Sequence, residues 1–297
     1  MSCFGWKQNV KPEPERFDGA MATEGKAHGK EIADSFYDIA TDFYTYGWGD
    51  SFHFAPMSAN ESFKESIVKH EVNLANDIGI LFWGVTYIWN VSVEIVNEMS
   101  PVSVETDRNV LVVTVLQCSR CTLKLVTPWR LSKPGIKENT TVMDLGCGVG
   151  GPLCNVGKII KCNITGLTIN EYQVNQGNDN IKKAGLSDKC KIVRGDYLQL
   201  PFEDSSFDFG VDIEATAHCT DLDRYFSEVH RVLKDGGRFG GFAWVATDKY
   251  EGEQNKEQTR QLKKVAYGNG LPKIFRFSDY EIAIRNSRQN SRCTARA

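Results

Sequence analysis

At 297 residues the chain is long enough for one large or two small domains with a sizeable core, and its 41% apolar and 25% charged residues are those of an ordinary globular protein. A formal net charge of -3 gives a nucleic-acid partner no electrostatic support, and none is expected. Nine cysteines, an odd number without a repeating spacing, suit reduced thiols better than a disulfide framework.

In chain order, the first residues lack the apolar run of a signal peptide, and 1–30 read as a mobile arm rich in Gly, Lys, Glu and Pro. Residues 31–79 read as helical, broken by an aromatic loop from Tyr44 to Phe54; in the second piece Phe63, Ile67, His70, Leu74 and Ile78 recur at spacings of three and four. The most apolar stretch, Ile80 to Val96, is shorter than the ~20 residues of a membrane span and contains Asn90 and Glu94. No spanning helix is expected there, and a peripheral membrane contact stays open. Residues 80–131 match neither neighbour and are β-rich around Val110 to Val115. They hold a lone CxxC, Cys118 and Cys121; with no second pair at metal-ligand spacing, no metal is expected.

From 132 the pattern changes. Strands are expected at 141–144, 163–167, 191–194, 207–213 and 238–245, with helices at 153–160, 170–184 and 222–233 between them. This alternation predicts an α/β domain over 132–286, a parallel sheet with helices on both faces.

The first of these strands ends at Asp144 and runs into Gly146, Cys147, Gly148, Gly150 and Gly151, then a helix. Glycines let a ligand approach the backbone and tolerate positive φ. Ligands of open α/β sheets bind beyond the carboxyl ends of the strands, and the N–H groups of the next helix can receive an anion. The same letters fit a dinucleotide fingerprint at Gly146, Gly148 and Gly151, a weak signal alone. A nicotinamide enzyme wants an acid at the tip of the second strand, where this chain has Gly166-Leu167-Thr168. Asp196 and Tyr197, after the third strand, suit an adenine: the acid accepts from its amine and the ring offers a flat face. S-adenosylmethionine fits best; a dinucleotide and a glycine turn that serves packing alone stay open.

Several segments resemble the sterol C-methyltransferases: Tyr44-Thr-Tyr-Gly-Trp-Gly-Asp-Ser-Phe-His-Phe54, Glu61-Ser-Phe-Lys-Glu-Ser66, Asp144-Leu-Gly-Cys-Gly-Val-Gly-Gly-Pro152, Asn170-Glu-Tyr-Gln173, Ile213-Glu-Ala-Thr-Ala-His218 and Gly268-Asn-Gly-Leu-Pro272. The resemblance covers about 34–79 and 132–286. Related cyclopropane fatty acid synthases share the fold but generally not the Tyr-x-Tyr-Gly-Trp-Gly element. The resemblance implies a Rossmann-like class I methyltransferase with a helical substrate cap. It implies S-adenosylmethionine as cofactor and a sterol as substrate, methylated at side-chain C24 or ring C4. It implies that Asp144, Gly146, Cys147, Gly148 and Gly150 line the methionine part, that Thr168 and Gln173 lie near the ribose, and that Asp196 and Tyr197 lie near adenine. The aromatic loop would face the sterol. The cytoplasm or the cytosolic face of the endoplasmic reticulum is the expected setting, and the sequence does not set the oligomeric state.

The residue types fit that chemistry. Eight of the nineteen residues from Phe36 to Phe54 are aromatic, a suitable container for a rigid apolar plate. An alkene that attacks a sulfonium methyl leaves a carbocation, which the faces of Tyr44, Tyr46, Trp48 and Phe52 would stabilise. Glu214, at the carboxyl end of the fourth strand, is the expected base; His218 is the other candidate base or orienting group, and Tyr46 is grouped with them. His53 and His70 read as structural. The alternatives are a methyltransferase on another lipid or small molecule, and an inactive S-adenosylmethionine- or sterol-binding protein.

Two departures from the family pattern stand out. Roughly fifty residues, Leu81 to about Arg130, intervene where the family runs on almost directly, and they read as foreign to the native design. After Ser287 relatives continue into two more strands and a C-terminal region, where this chain has only the polar segment 287–297. The expectation is an open edge on the fifth strand and weak or absent activity.

Overall fold

The computed structural model describes residues 29–55, 60–77, 103–104, 111–117, 136–246 and 250–294. The expected arm lies outside them up to residue 28, as do Cys118, Cys121 and most of 80–131.

Two helices come first, α1 (Gly29–Trp48) and α2 (Phe63–Asp77). A reciprocal cap starts α2: Glu65 Oε2 accepts from Ser62 N at 2.8 Å, while Ser62 Oγ accepts from Glu65 N at 3.3 Å. Two strands follow, β1 (Ser103–Val104) and β2 (Leu111–Gln117). The expected alternation is then met by β3 (Thr141–Leu145), α3 (Gly151–Ile160), β4 (Asn163–Thr168), α4 (Glu171–Lys183), β5 (Cys190–Arg194), β6 (Phe207–Ile213), α5 (Leu222–Val232) and β7 (Leu233–Ala246). Asn170 caps α4 by accepting from Gln173 N, and Asp221 caps α5 by accepting from Arg224 N. The chain closes with α6 (Lys256–Gly268), β8 (Phe275–Arg276) and α7 (Phe277–Thr294).

The sheet order is β1-β2-β7-β6-β3-β4-β5, with β8 on the end of β7. β1 is antiparallel to β2; the other pairings are parallel. Successive strand residues supply opposite faces. Val142 joins Leu153, Val156, Ile164 and Ile181 under α3 and α4. Met143 and Leu145 join Tyr225, Phe226, Tyr280 and Ile284 under α5 and α7. From β3 the order runs through β4 to β5 on one side and through β6 to β7 on the other, so a crevice opens beyond the carboxyl ends of β3 and β6.

Three expectations change. The β7 edge is not open: β2 pairs with it from Leu111↔Phe239 to Gln117↔Val245, so the stretch read as foreign supplies the strand that covers it. The polar segment after Ser287 begins within a helix, because α7 runs on to Thr294. Lys234–Gly237 does not precede the fifth strand. It forms an irregularity within it, where the register jumps from Phe207↔Leu233 to Phe209↔Arg238.

One buried acid ties the core to the crevice. Asp212 of β6 accepts from Tyr225 Oη at 2.7 Å and from Ala215 N at 2.9 Å, and burial raises its pKa to about 7. Tyr225→Phe removes one of these donors. At pH 8, where the carboxylate is charged, the variant is expected to lose about 1–3 kcal/mol of stability in urea denaturation. At pH 5, where Asp212 carries a proton, the loss shrinks; an equal loss at both values would refute this role.

Candidate active site

The crevice begins at the end of β3. Asp144 is buried there, and its Oδ2 has no hydrogen-bond partner among the described residues. Gly146, Gly148 and Gly150 follow with φ of 74°, 54° and 81°, left-handed values that favour glycine. Close approach is a second constraint. A Cβ on Gly146 would lie 2.1 Å from Ala215 Cβ, and one on Gly151 would lie 2.3 Å from Asp50 O. The loop thus packs against the turn after β6 on one side and the aromatic loop on the other, where Gly151 N donates to Asp50 O at 3.1 Å.

α1 forms a wall over this cradle. Asn170 Nδ2 donates to Asp38 Oδ1 at 2.7 Å and Asp34 Oδ1 at 3.0 Å, and Gln173 Nε2 donates to Thr41 Oγ1 at 3.2 Å. Thr168 Oγ1 donates to Gln173 Oε1 at 2.6 Å. The cavity beneath it, about 300 Å³, is lined by Asp144, Gly146, Cys147, Gly148, Thr168, Gln173, Asp196 and Tyr197, with Ala33 and Tyr37 from α1. That volume suits a small-molecule site.

A second compartment, about 110 Å³, adjoins it. Its walls are Tyr44, Trp48, Phe52, Phe54 and Trp244, with Leu271 and Asn269. Tyr44 packs edge-on to Trp48 at 5.5 Å and to Phe52 at 5.4 Å. Tyr37, Phe52, His53, Glu214 and His218 line both compartments, so they form the boundary.

Glu214 sits at that boundary with φ 65°, an unusual value for a residue with a side chain. Its Oε2 accepts from Trp244 Nε1 at 3.0 Å and its Oε1 from Phe54 N at 3.3 Å. Burial raises its pKa, and His53, Trp244 and the Phe54 amide oppose that rise without cancelling it. His218 Nε2 lies 2.9 Å from Tyr37 Oη, and burial lowers the imidazole pKa to about 4, so the ring is neutral at pH 7.

Thirteen of the fifteen residues singled out from sequence line one or both compartments. The exceptions are Tyr46 and Gly150. Tyr46 is 95% exposed and lines neither compartment. α1 continues through Trp48, so Tyr44 and Tyr46 point about 200° apart, at 100° per residue. Trp48, four residues after Tyr44, returns to the inner face. Gly150 shapes the turn into α3 without lining the cavity. Tyr37, His53, Phe54 and Trp244 were not foreseen as site residues. Tyr37 lies seven residues before Tyr44, a helical repeat that marks the same face, and Trp244 lies near the carboxyl end of a parallel strand, where sites in such sheets cluster. His53, read as structural, borders both compartments.

The cradle fits S-adenosylmethionine. An orphaned, buried carboxylate oxygen suits a cationic amino group, and Gly146 and Gly148 line the cavity beside it. Among the described residues no group of three or more His, Cys, Asp or Glu is placed to hold a metal ion, and no helix is long and apolar enough to cross a membrane.

Comparison with known proteins agrees with this fold. Residues 143–240 match a methyltransferase domain family. A sterol 24-C-methyltransferase of Gibberella zeae is 34% identical over 282 residues, which cover 95% of this chain and 59% of the relative. That of Saccharomyces cerevisiae is 33% identical, with coverages of 86% and 52%. A cycloartenol-C-24-methyltransferase of Oryza sativa is 34% identical, with coverages of 90% and 63%. The chain therefore spans between 52% and 63% of the length of these three relatives. Among solved structures, a Galdieria sulphuraria protein assigned as a sarcosine dimethylglycine methyltransferase superimposes with a TM-score of 0.56 at 18% identity, over 84% of this chain and 73% of its own. The [4+2]-cyclase SpnF does so with a TM-score of 0.56 at 17% identity, over 87% of this chain and 72% of its own. These two share the fold alone. The chain has the Rossmann-like class I methyltransferase fold and is related in sequence to the sterol C-methyltransferases.

Proposed function

We propose that the chain transfers a methyl group from S-adenosylmethionine to a sterol carbon, and that this carbon is C24 of the side chain. One observation carries the reading: Glu214 stands at the boundary between the cofactor cradle and an aromatic compartment, held by Trp244 and the Phe54 amide. The C24-methylating names of the relatives support the choice of carbon.

In this reading Asp144, Gly146, Cys147 and Gly148 hold the methionine part, Thr168 and Gln173 the ribose, and Asp196 and Tyr197 the adenine. When bound, S-adenosylmethionine supplies a methyl group on a sulfonium centre. The compartment excludes water and orients an alkene toward that methyl, and alignment of this kind supplies much of the acceleration. The faces of Tyr44, Trp48, Phe52 and Phe54 stabilise the positive charge left on the sterol, by up to about 2 kcal/mol each when desolvated. Glu214 takes the proton whose loss restores an alkene, and His218, neutral and bonded to Tyr37, orients the substrate beside it. The expectation of weak activity rested partly on an exposed β7 edge, which β2 covers.

Cofactor affinity depends on pH through Asp144. Burial raises its pKa to about 7, aided by the charges of Asp212 and Glu71 and opposed by His53. Binding of a cationic amine needs the carboxylate and so lowers this pKa. Affinity is full above the ligand-free pKa and is lost below it, by about tenfold per pH unit. Calorimetric titration with S-adenosylmethionine at pH 8 and pH 5.5 is expected to show that loss; equal affinities would exclude it.

The choice of carbon is tested by incubating the 297-residue chain with methyl-deuterated S-adenosylmethionine and a sterol with a C24 alkene. Fragmentation should place the deuterium on the side chain. Deuterium on ring A would replace C24 by C4, and a labelled non-sterol lipid would replace the substrate class.

A further inference from the structure

Behind the aromatic loop lies a charged group that the proposed reaction does not use. Glu71 of α2 is 1% exposed, and three residues from two other segments converge on it. Its Oε1 accepts from Ser51 Oγ at 2.7 Å and lies 3.0 Å from His53 Nε2, and its Oε2 accepts from Asn155 Nδ2 of α3 at 2.8 Å. The other ring nitrogen of His53, Nδ1, lies 3.0 Å from Phe54 O.

The donor and acceptor inventory suits a doubly protonated ring. A carbonyl oxygen only accepts, so Nδ1 carries a proton. Glu71 accepts from Ser51 through one oxygen and from Asn155 through the other, and a proton on the facing His53 nitrogen gives the first oxygen a second donor. With both protons His53 is an imidazolium, 2% exposed at the boundary of both compartments. Burial alone would lower its pKa, but the hydrogen bond and charge of Glu71, the charge of Glu214 and the Phe54 carbonyl together raise it. The neighbouring ring, His70, stacks on Phe242 at 4.1 Å and is kept neutral by burial, with a pKa near about 3.

The contacts form a continuous path. Glu71 holds His53, His53 holds the Phe54 carbonyl, and the Phe54 amide donates to Glu214 Oε1. We propose that Glu71 and His53 form a buried ion pair that positions Phe54 and Glu214 at the boundary of the two compartments, so both are positioning residues for methyl transfer. This inference rests on Glu214 as the proton acceptor. A purely structural role is the competing view: a buried pair that anchors residues 50–54 to α2 and α3 and leaves the reaction rate alone. The groups that face the pair from all sides are Ser51, Asn155, His70, Asp144 and Glu214, and none of them supplies a second cation.

Two measurements on the full chain separate these views. The first is nitrogen-15 NMR of histidine-labelled wild-type protein at pH 7.5, without ligand. His53 should show two protonated ring nitrogens, and Glu71→Gln should convert it to a neutral ring. A neutral His53 in the wild type overturns the ion pair. The second is kinetics of Glu71→Gln, in which the amide keeps the shape and loses the charge. Turnover with a C24-alkene sterol should fall about 100-fold, the effect of a small misplacement of reacting groups. The dissociation constant for S-adenosylmethionine should stay within about threefold. Unchanged turnover, or a parallel loss of cofactor binding, overturns the positioning role. If Glu71→Gln does not fold, His53→Gln provides the kinetic comparison under the same criteria. If the wild type methylates no sterol, the positioning role falls with the reading of Glu214, and the NMR signature alone upholds or overturns the ion pair.

Discussion

Replacing Glu214 by Gln should lower kcat for methyl transfer by about 10²- to 10⁴-fold and leave the fold and the cofactor affinity in place, the range for losing a positioned general base. The amide is isosteric with the carboxylate. Its one oxygen can still accept from Trp244 Nε1 or from the Phe54 amide, one of the two donors that hold Glu214, while its NH2 group can accept from neither. It cannot take a proton. Burial raises the Glu214 pKa, so its proton affinity exceeds that of an exposed glutamate and the driving force for abstraction is larger. The same rise sets the pH profile. Turnover that needs the carboxylate is lost as pH falls through a value above the ordinary Glu range, and this acid limb should vanish in the variant. Rapid-quench single turnovers with saturating S-adenosylmethionine isolate the chemical step. Wild-type rates in the variant would remove Glu214 from the reaction.

Gly146→Ala should cost both stability and cofactor affinity. At φ 74° a side chain costs roughly 1–2 kcal/mol. The new Cβ would also lie 2.1 Å from Ala215 Cβ, part of the turn that carries Glu214. Overpacking of this kind costs roughly 1–3 kcal/mol more. Relief of the clash must move the cradle or that turn, and either shift misplaces the cofactor, with an expected affinity loss of about 10- to 100-fold. Gly150→Ala is the control. Its φ of 81° carries a similar conformational cost, but its Cβ meets only the tip of Ile192 at 2.9 Å, and Gly150 does not line the cavity. Chemical denaturation should show both variants destabilised, and calorimetry should show weak binding in the Gly146 variant alone. Equal affinities in the two variants would contradict the close packing of the cradle on the turn after β6.

Much of this geometry is legible in the chain. The run from Thr141 to Gly151 is a buried strand, then left-handed glycines, then a helix, and each step follows from local residue chemistry. Asp196 and Tyr197 were located by the same logic, because the carboxyl ends of parallel strands converge. Tyr46 was misread because the helix was expected to break into an aromatic loop at Tyr44, whereas α1 runs on to Trp48. The true stop is Gly49, at φ 82°, whose N–H returns to Thr45 O at 3.0 Å, the left-handed cap of a helix end. The extra helical turn beyond the assumed break turned Tyr46 to solvent. The cover on β7 was hidden for another reason. The Val-rich run Leu111–Gln117 marks a strand, but nothing local names a partner more than a hundred residues away. The Glu71–His53 pair was hidden likewise: a buried acid on a helix becomes intelligible only when the loop that meets it is placed.

The most direct test incubates the chain with methyl-tritiated S-adenosylmethionine and a C24-alkene sterol, then counts label in the organic phase beside the Glu214→Gln variant. Label is expected in a sterol product for the wild type and near background for the variant. If the wild type binds S-adenosylmethionine but leaves the sterol unlabelled, the proposal of sterol methylation is contradicted.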